Sequence, residues 1–300
     1  MHVCQRWRYL GFESPIRLNL QLFCKEKSPV KKLLDVWPTF PLVIQVDYND
    51  WSTPEDSLFD SLVAALERRD RVRRIDIANP PNSLWRRIVL AMQGPFPALR
   101  FLSLKSRYDV PHLLPDTFLS GYAPCLQDPA LGAISSPSLP RFLSSTSDLT
   151  SLRLFGIIYS YSHCTQPETV ATCLSALRRL KSLKINFVNA QPLPQRGNRA
   201  SLPPTRFVLS ALSELDFTGV SKYLEALAAR IEAPLLDEFH INFSHHELVF
   251  DIPQTIRLFG HLDSSRPSSL ILEFVQFRGA YISFPSRHSR YPSSWIYTCQ

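Results

Sequence analysis

One short apolar pattern, L-x-x-L-x-L with substitutions, recurs along most of this 300-residue chain. The clear copies are Val72-x-x-Ile75-x-Ile77, Leu99-x-x-Leu102-x-Leu104, Leu149-x-x-Leu152-x-Leu154, Leu180-x-x-Leu183-x-Ile185, Leu212-x-x-Leu215-x-Phe217 and Leu236-x-x-Phe239-x-Ile241. A damaged copy, Leu126-x-x-Pro129-x-Leu131, fills the one large gap, and a partial copy, Leu270-x-Leu272, follows the last. The alternation of apolar residues in each copy predicts a short strand with one buried face. Such units must bury that face against one another.

The segments between the copies carry apolar residues at helical spacing. They are Leu58, Phe59, Leu62, Val63 and Leu66; Leu84, Trp85, Ile88, Val89 and Met92; Val170, Cys173, Leu174 and Leu177; and Leu224, Leu227, Ala228 and Ile231. Each set would line one face of a helix that precedes a strand. Ser221 is the predicted N-cap of the last helix, and Pro234 is predicted to end it.

Successive copies lie 23 to 32 residues apart, and leucine-rich repeats are about 20–29 residues long. The sequence therefore predicts an α/β fold, an irregular leucine-rich-repeat solenoid in which short parallel strands alternate with helices. Irregularity is expected because the Asn or Cys of the strict repeat is missing. Its places hold Pro80, Arg107, Ile157, Val188, Val220 and Ser244. The alternative is a Rossmann-type α/β sheet, but the chain contains no Gly-rich turn after a strand.

The composition indicates a globular chain, with 45% hydrophobic and 20% charged residues. The longest stretch without Asp, Glu, Lys or Arg, residues 154–167, is too short and too polar for a membrane helix. Charged residues interrupt the N-terminal segment, so no secretory signal is predicted. The six cysteines form no C-x-x-C pair, which is typical of reduced thiols inside cells. We expect a soluble protein of the cytoplasm, the nucleus or both, without membrane contact.

No sequence signature of a hydrolase, a metalloprotease, a dinucleotide site or a P-loop occurs in the chain. His245 and His246 are adjacent, and neighbouring side chains on an extended chain point to opposite faces, so they would not chelate one metal ion. We therefore expect no catalytic, cofactor-binding or metal-binding residues and a protein that is not an enzyme. An α/β enzyme with an unfamiliar site is the alternative.

Polar residues occupy the positions between the apolar ones, so they would line the opposite side of the strands. We name this surface the strand face and expect a protein partner to bind it. Its candidate binding residues are Arg73, Arg74, Arg100, Phe101, Arg153, Lys181, Lys184, Glu214, Asp216, Asp237, Glu238 and His240. Charges are mainly basic in the first four clear copies and acidic in the last two, an order that would orient a partner. Chance segregation among six short segments is the alternative.

The first residues, Val3-Cys4-x-x-Trp7, resemble the closing helix of an F-box, which typically reads V-C-x-x-W. Other segments resemble the F-box/leucine-rich-repeat proteins of mushroom-forming, basidiomycete-type fungi. They are Leu18-x-Leu20-x-Leu22 and residues 29–34, 114–119, 173–177 and 230–236. The resemblance implies an F-box that docks on the Skp1-type adaptor of an SCF-type ubiquitin ligase, and repeats that hold the substrate protein. Only Val3, Cys4 and Trp7 match the F-box, so the resemblance implies an F-box truncated on its N-terminal side.

These observations divide the chain into three parts: residues 1–12 as the F-box remnant, 13–275 as the repeat array and 276–300 as an irregular tail. The expected function is a protein–protein interaction scaffold similar to the substrate-recognition part of a ubiquitin ligase. A nucleic-acid-binding protein is the alternative, because the net charge is +7 and the tail mixes basic and aromatic residues, as single-strand binders do.

Overall fold

The computed structural model describes residues 21–24, 30–37, 39–48, 56–106, 112–132, 134–135, 142–143, 145–146, 148–157, 166–187, 205–243, 271–275 and 279–283. Its helices are α1 Val30–Val36, α2 Asp56–Leu66, α3 Asn82–Ala91, α4 Pro167–Ser175 and α5 Ser221–Ala228, with a 3-10 turn at Phe118–Gly121. Its strands are β1 Leu22–Cys24, β2 Leu42–Asp47, β3 Val72–Ala78, β4 Phe101–Lys105, β5 His112–Leu113, β6 Asp128–Gly132, β7 Ile134–Ser135, β8 Ser151–Ile157, β9 Ser182–Phe187, β10 Phe207–Val208, β11 Glu214–Gly219, β12 Ile231–Glu232, β13 Glu238–Phe243, β14 Ile271–Val275 and β15 Gly279–Ser283.

Eleven of the described strands form one sheet, in the order β1-β2-β3-β4-β6-β8-β9-β11-β13-β15-β14. The first nine are parallel and lie side by side in the order in which the chain produces them. Helices α2, α3, α4 and α5 each precede one of these strands, as the apolar spacing predicts. The α/β class with parallel strands and alternating helices is therefore confirmed.

The register of the sheet aligns the repeated pattern from strand to strand. Ile75 lies opposite Leu102, and Leu183 lies opposite Leu215, which lies opposite Phe239. The alignment extends to the residues where the strands start. There, the backbone amides of two consecutive residues donate to one carbonyl of the preceding copy. Those of Ser182 and Lys181, for example, both donate to the carbonyl of Thr150. Equivalent positions of different copies therefore form continuous rows across the sheet.

The damaged copy forms the central strand β6 despite its proline. Pro129 lies opposite Leu102 on the β4 side, whereas the pairing with β8 begins only at Ala130 opposite Arg153. Proline lacks the amide hydrogen that a strand interior uses. The pairing that is lost at Pro129 is therefore the one with β8, whereas the pairing with β4 is kept. The apolar position Leu131 stays in register with Leu104 and Leu154, which keeps the array continuous.

The apolar positions of the strands and the helices form one core on one side of the sheet. Fully buried residues on the strands, such as Ile75 and Leu183, belong to the same cluster as Leu84 of α3 and Leu224 of α5. None of the helices in the described ranges combines the length and the apolar character that a membrane span requires. The layer of helices leaves the other side of the sheet to the polar strand positions.

The ends of the array differ from its middle. The partial copy at Leu270-x-Leu272 precedes and enters β14, which pairs antiparallel with β15 instead of extending the parallel order. Strand β15, within the predicted tail, pairs antiparallel with β13. Val3, Cys4 and Trp7 of the F-box resemblance, and the adjacent His245 and His246, lie outside the described residues.

Candidate partner-binding face

The polar strand positions fall into rows that cross the parallel strands. In one row Arg74 lies opposite Phe101, which lies opposite Asp128. Further along the same row Ser182 lies opposite Glu214, which lies opposite Glu238. The sheet therefore places the predicted residues from distant parts of the sequence side by side.

A second row crosses the strand face two residues further along each strand. Arg153 lies opposite Lys184, which lies opposite Asp216 and then His240. Because neighbouring strands are about 4.8 Å apart, charges in adjacent copies lie within the reach of an ion pair.

The remaining predicted residues, Arg73, Arg100, Lys181 and Asp237, occupy the position just before or at the start of each strand. We name the line through these positions the amino-end row. It consists of Arg73, Arg100, Gln127, Thr150, Lys181, Ser213 and Asp237, whose backbones are joined in this order by amide-to-carbonyl hydrogen bonds. Arg100, Gln127 and Lys181 are exposed.

Phe101 lies at the centre of the basic half of the strand face, between two guanidinium groups. The Cζ of Arg74 is 3.7 Å from the centroid of the Phe101 ring, and the Cζ of Arg153 is 5.9 Å from it. Arg74 also bonds to Asp76 at 3.3 Å, and Arg153 donates to both carboxylate oxygens of Asp128 at 2.8 Å. Both cations are thus neutralised within the chain and held against one aromatic ring.

Among the residues that the structure describes, two buried polar atoms in this centre have no hydrogen-bond partner, Arg153 Nε and Ser103 Oγ. Ser103 is on the same strand as Phe101 and is only 2% exposed, and Ala130 separates it from Arg153 in the register. Unsatisfied buried donors carry a cost of roughly 1–3 kcal/mol each. A small rearrangement that supplied acceptors to these atoms would therefore be favourable.

Lys184 joins the basic and acidic halves of the strand face. Its Nζ is 3.0 Å from Glu214 Oε1 and 3.5 Å from Asp216 Oδ2. The hydrogen bond to Glu214 raises the pKa of Lys184 above its usual value. Burial alone would raise the pKa of Glu214, but hydrogen bonds from Ser182 and Lys184 outweigh it, so that pKa lies below its usual value. Lys184 and Glu214 are therefore both charged at neutral pH, and their charges are paired within the chain.

The structure separates the predicted cations into two kinds. Arg74, Arg153 and Lys184 are engaged by carboxylates of the chain. Among the residues that the structure describes, Arg100 and Lys181 form no ion pair, and both are exposed. The positive charge open to a partner is therefore at the amino-end row rather than at the centre of the strand face.

Sequence reasoning did not assign Asp128 to the strand face, because it lies in the copy that Pro129 disrupts. The pattern does not predict strand β2 either, and its Gln45, opposite Asp76, extends the second row beyond β3. The signal in the sequence is the short alternation Ile44-x-Val46, which the structure aligns with Ile75 and Ile77. A search for the final two apolar positions alone would have found this strand.

Other parts of the described chain offer little chemistry. No group of three or more His, Cys, Asp or Glu residues is arranged to hold a metal ion in the described ranges. Burial raises the pKa of the Cys24 thiol to about 11, against a smaller lowering by Arg71, so this cysteine is protonated at neutral pH. An open groove of about 510 Å³ lies between α3 and Leu114–Asp116, and none of the predicted partner-binding residues lines it.

In the comparisons with known proteins, the chain matches no family model, no curated protein and no solved structure.

Proposed function

We propose that the chain is a non-catalytic protein-interaction scaffold, an irregular leucine-rich-repeat solenoid that binds a partner protein on its strand face. The observation that carries this proposal is the run of nine parallel strands in chain order, with helices on one side and aligned polar rows on the other. A doubly wound sheet reverses its strand order at a switch point where ligands bind. These nine strands have no such reversal.

The role in a ubiquitin ligase is part of the same proposal and depends on the resemblance of Val3, Cys4 and Trp7 to the F-box. The repeats would then hold the substrate, and the N-terminal segment would contribute to docking on a Skp1-type adaptor. Co-purification with the adaptor tests this role. The chain is compared with a Trp7→Ala variant and with a version that carries a complete F-box upstream. We expect the version with the complete F-box to be recovered most strongly and the Trp7→Ala variant least. Equal recovery of the chain and its Trp7→Ala variant would contradict a contribution of this segment to docking.

The binding surface is tested by crosslinking partners in cells and identifying them. A strand-face variant, Phe101→Ala with Glu238→Lys, is compared with a helix variant, Arg86→Ala with Lys222→Ala, whose residues are exposed on α3 and α5. We expect the strand-face variant to lose partners that the helix variant keeps, because only the first change lies at the proposed interface. Identical partner sets for the wild type and both variants would refute the assignment of the surface.

A nucleic-acid-binding function is the second candidate, and the structure of the basic half argues against it. Base stacking needs an open aromatic face, but the guanidinium of Arg74 covers one face of Phe101 at 3.7 Å. Arg74 and Arg153 are also neutralised by Asp76 and Asp128. A salt titration against single-stranded RNA decides the point, because binding to phosphates weakens steeply with salt.

A further inference from the structure

We infer that the partner of the strand face is an extended acidic peptide segment that lies along the amino-end row, from β3 to β9. This inference rests on the proposed function and specifies the chemistry of its partner. It follows from the distribution of unpaired charge, from the spacing of the row and from the state of the nearest carboxylates.

The part of the amino-end row from β3 to β9 contains only hydrogen-bond donors or neutral groups. Its side chains are Arg73, Arg100, Gln127, Thr150 and Lys181, in the order of the backbone ladder. The first carboxylate in the row, Asp237, comes two copies later, after Ser213. Exposed Arg100 and Lys181 have no ion pair within the described residues. A ligand that lies along this segment meets positive charge without a competing anion in the row.

Three carboxylates beside the row are already paired within the chain. Asp76 is held by Arg74 and Asp128 by Arg153, in both cases through direct contacts. Asp148, one residue before the Leu149 copy, is held by Arg179 at 3.0 Å. Because each of these anions already has a cation, the charges of the row remain available to an external anion.

The spacing of the row fits an extended peptide. Adjacent strands are about 4.8 Å apart, so Arg73 and Arg100 lie about 5 Å apart along the row, and Arg100 and Lys181 lie about 14 Å apart. An extended chain advances about 3.4 Å per residue and repeats its direction every two residues. Two acidic side chains four residues apart would therefore reach Arg100 and Lys181 from the same side of the peptide, and Gln127 and Thr150 between them would meet its backbone.

The probe is a fluorescein-labelled 12-residue peptide with a Ser/Thr/Val background and Glu at positions 3, 5 and 9. Two control peptides carry Gln at these positions or the same three Glu at positions 3, 4 and 5. Binding is measured by fluorescence anisotropy at low salt. The wild type should bind the spaced acidic peptide about tenfold or more tightly than the Gln peptide, since three exposed ion pairs are formed.

Two triple variants with the same net charge locate the site. The row variant is Arg73→Glu, Arg100→Glu and Lys181→Glu, and the helix variant is Lys32→Glu, Arg86→Glu and Lys222→Glu, at exposed positions of α1, α3 and α5. Circular dichroism establishes that both are folded. Loss of acidic-peptide binding in the row variant alone supports the inference. Equal loss of peptide binding in both variants would mean that binding depends only on the net charge of the protein, which overturns the inference. If the wild type binds single-stranded RNA more tightly than the acidic peptide, and the row variant loses this RNA binding, the row binds phosphate. That result also overturns the inference.

A photo-crosslinking residue in place of the exposed Gln127 separates this inference from the proposed function. Crosslinked partner segments are sequenced by mass spectrometry, with a crosslinker at Arg86 as the control. Acidic segments enriched at position 127 support both statements. Protein segments that are not acidic leave the proposed function standing and overturn the acidic partner. Absence of protein crosslinks above the control, together with absence of peptide binding, overturns both.

Discussion

Arg71 shows at the residue scale how one side chain joins two repeats. Its Nε donates to the carbonyl of Phe40 at 2.9 Å and its Nη2 to the carbonyl of Trp37 at 2.6 Å, in the loop between α1 and β2. The rings of Trp37 and Phe40 pack against each other with centroids 5.0 Å apart. Burial lowers the pKa of Arg71 below its usual value. The guanidinium thus fixes a loop that the sequence pattern does not explain.

The substitution Arg71→Met should lower the free energy of unfolding by about 2 kcal/mol, because it removes charge-assisted hydrogen bonds and leaves two carbonyls without a donor. Urea denaturation followed by circular dichroism measures the change. Arg100→Met is the matched control, since exposed Arg100 has no ion pair among the described residues and should change stability by less than about 0.5 kcal/mol. Equal effects of the two substitutions would contradict the anchoring role.

Cys24 should make stability depend on alkaline pH. Its pKa is about 11 in the folded chain, while an unfolded cysteine titrates near 8.5. The unfolded state therefore loses this proton first, so the contribution of Cys24 to stability is complete below about pH 8.5 and is lost as the pH rises towards 11. Urea midpoints between pH 8 and 10.5 measure the resulting fall in stability. It should be shallower in a Cys24→Ala variant, and parallel curves for variant and wild type would contradict the assignment to this thiol.

At the scale of elements, ion pairs on the strand face couple neighbouring strands. Arg153 of β8 and Asp128 of β6 should show a coupling energy of about 1 kcal/mol in a double-mutant cycle with Arg153→Gln and Asp128→Asn, because both carboxylate oxygens are engaged and the pair is half-buried. The pair Arg87–Asp60, which joins α3 to α2 at more exposed positions, is the control and should give a smaller coupling energy than Arg153–Asp128. A larger coupling on the helices would reverse this interpretation.

Lys184 and Glu214 join β9 to β11, and their interaction should weaken in acid. The pKa of Glu214 is lowered in the folded chain, so its contribution is complete above the usual carboxyl pKa of about 4.3 and is lost as the pH falls through the folded value. Glu214→Gln should therefore flatten the acid limb of stability against pH. Glu67→Gln, at an exposed position after α2, is the control that should leave the limb unchanged.

The sequence predicts elements better than it predicts their ends. Leu224, Leu227 and Ala228 form the buried face of α5 as expected, but the helix ends at Ala228 and Ile231 begins β12. Ile231 is fully buried, and since helices and strands both bury apolar residues, its apolar character does not distinguish the two. Ser221 is the first residue of α5, and the N-cap is Val220, without a side-chain hydrogen bond. A shift of one residue is within the ordinary uncertainty of helix boundaries.

The strand face was predictable in its composition but not in its ion pairs. The apolar periodicity identifies Arg74, Arg153 and Lys184 as polar positions on strands. Their neutralisation depends on which residue lies on the next strand, and for Arg153 this is Asp128 of the copy with Pro129. Pairing across strands depends on register, which the irregular repeat lengths do not reveal. The unpaired charge of the amino-end row therefore emerges only from the structure.

At the scale of the whole molecule, the order of the strands determines how stability is distributed. Along the nine parallel strands of the described sheet, the backbone ladder joins each strand to the strands before and after it in the chain. Helices α1, α2 and α3 follow the same neighbour relation. Helices α4 and α5, which precede β9 and β13, instead contact each other past the β11 copy, and Arg230 binds Glu168 there at 2.7 Å. In such a linear array, stability is close to a sum of local terms and nearest-neighbour interfaces. Damage at one end should therefore leave the other end intact.

Two identical core substitutions at opposite ends test this expectation by hydrogen exchange and mass spectrometry. Ile44→Ala in β2 and Ile241→Ala in β13 each remove a buried side chain and should cost about 2–5 kcal/mol locally. Ile44→Ala should raise exchange in β1, β2 and β3 while β11 and β13 keep their protection, and Ile241→Ala should do the reverse. Uniform loss of protection along the sheet in either variant would mean that the chain unfolds as one cooperative unit, and the nearest-neighbour description would fail. Local loss would mean that a partner bound across β3 to β9 stabilises mainly the copies it touches.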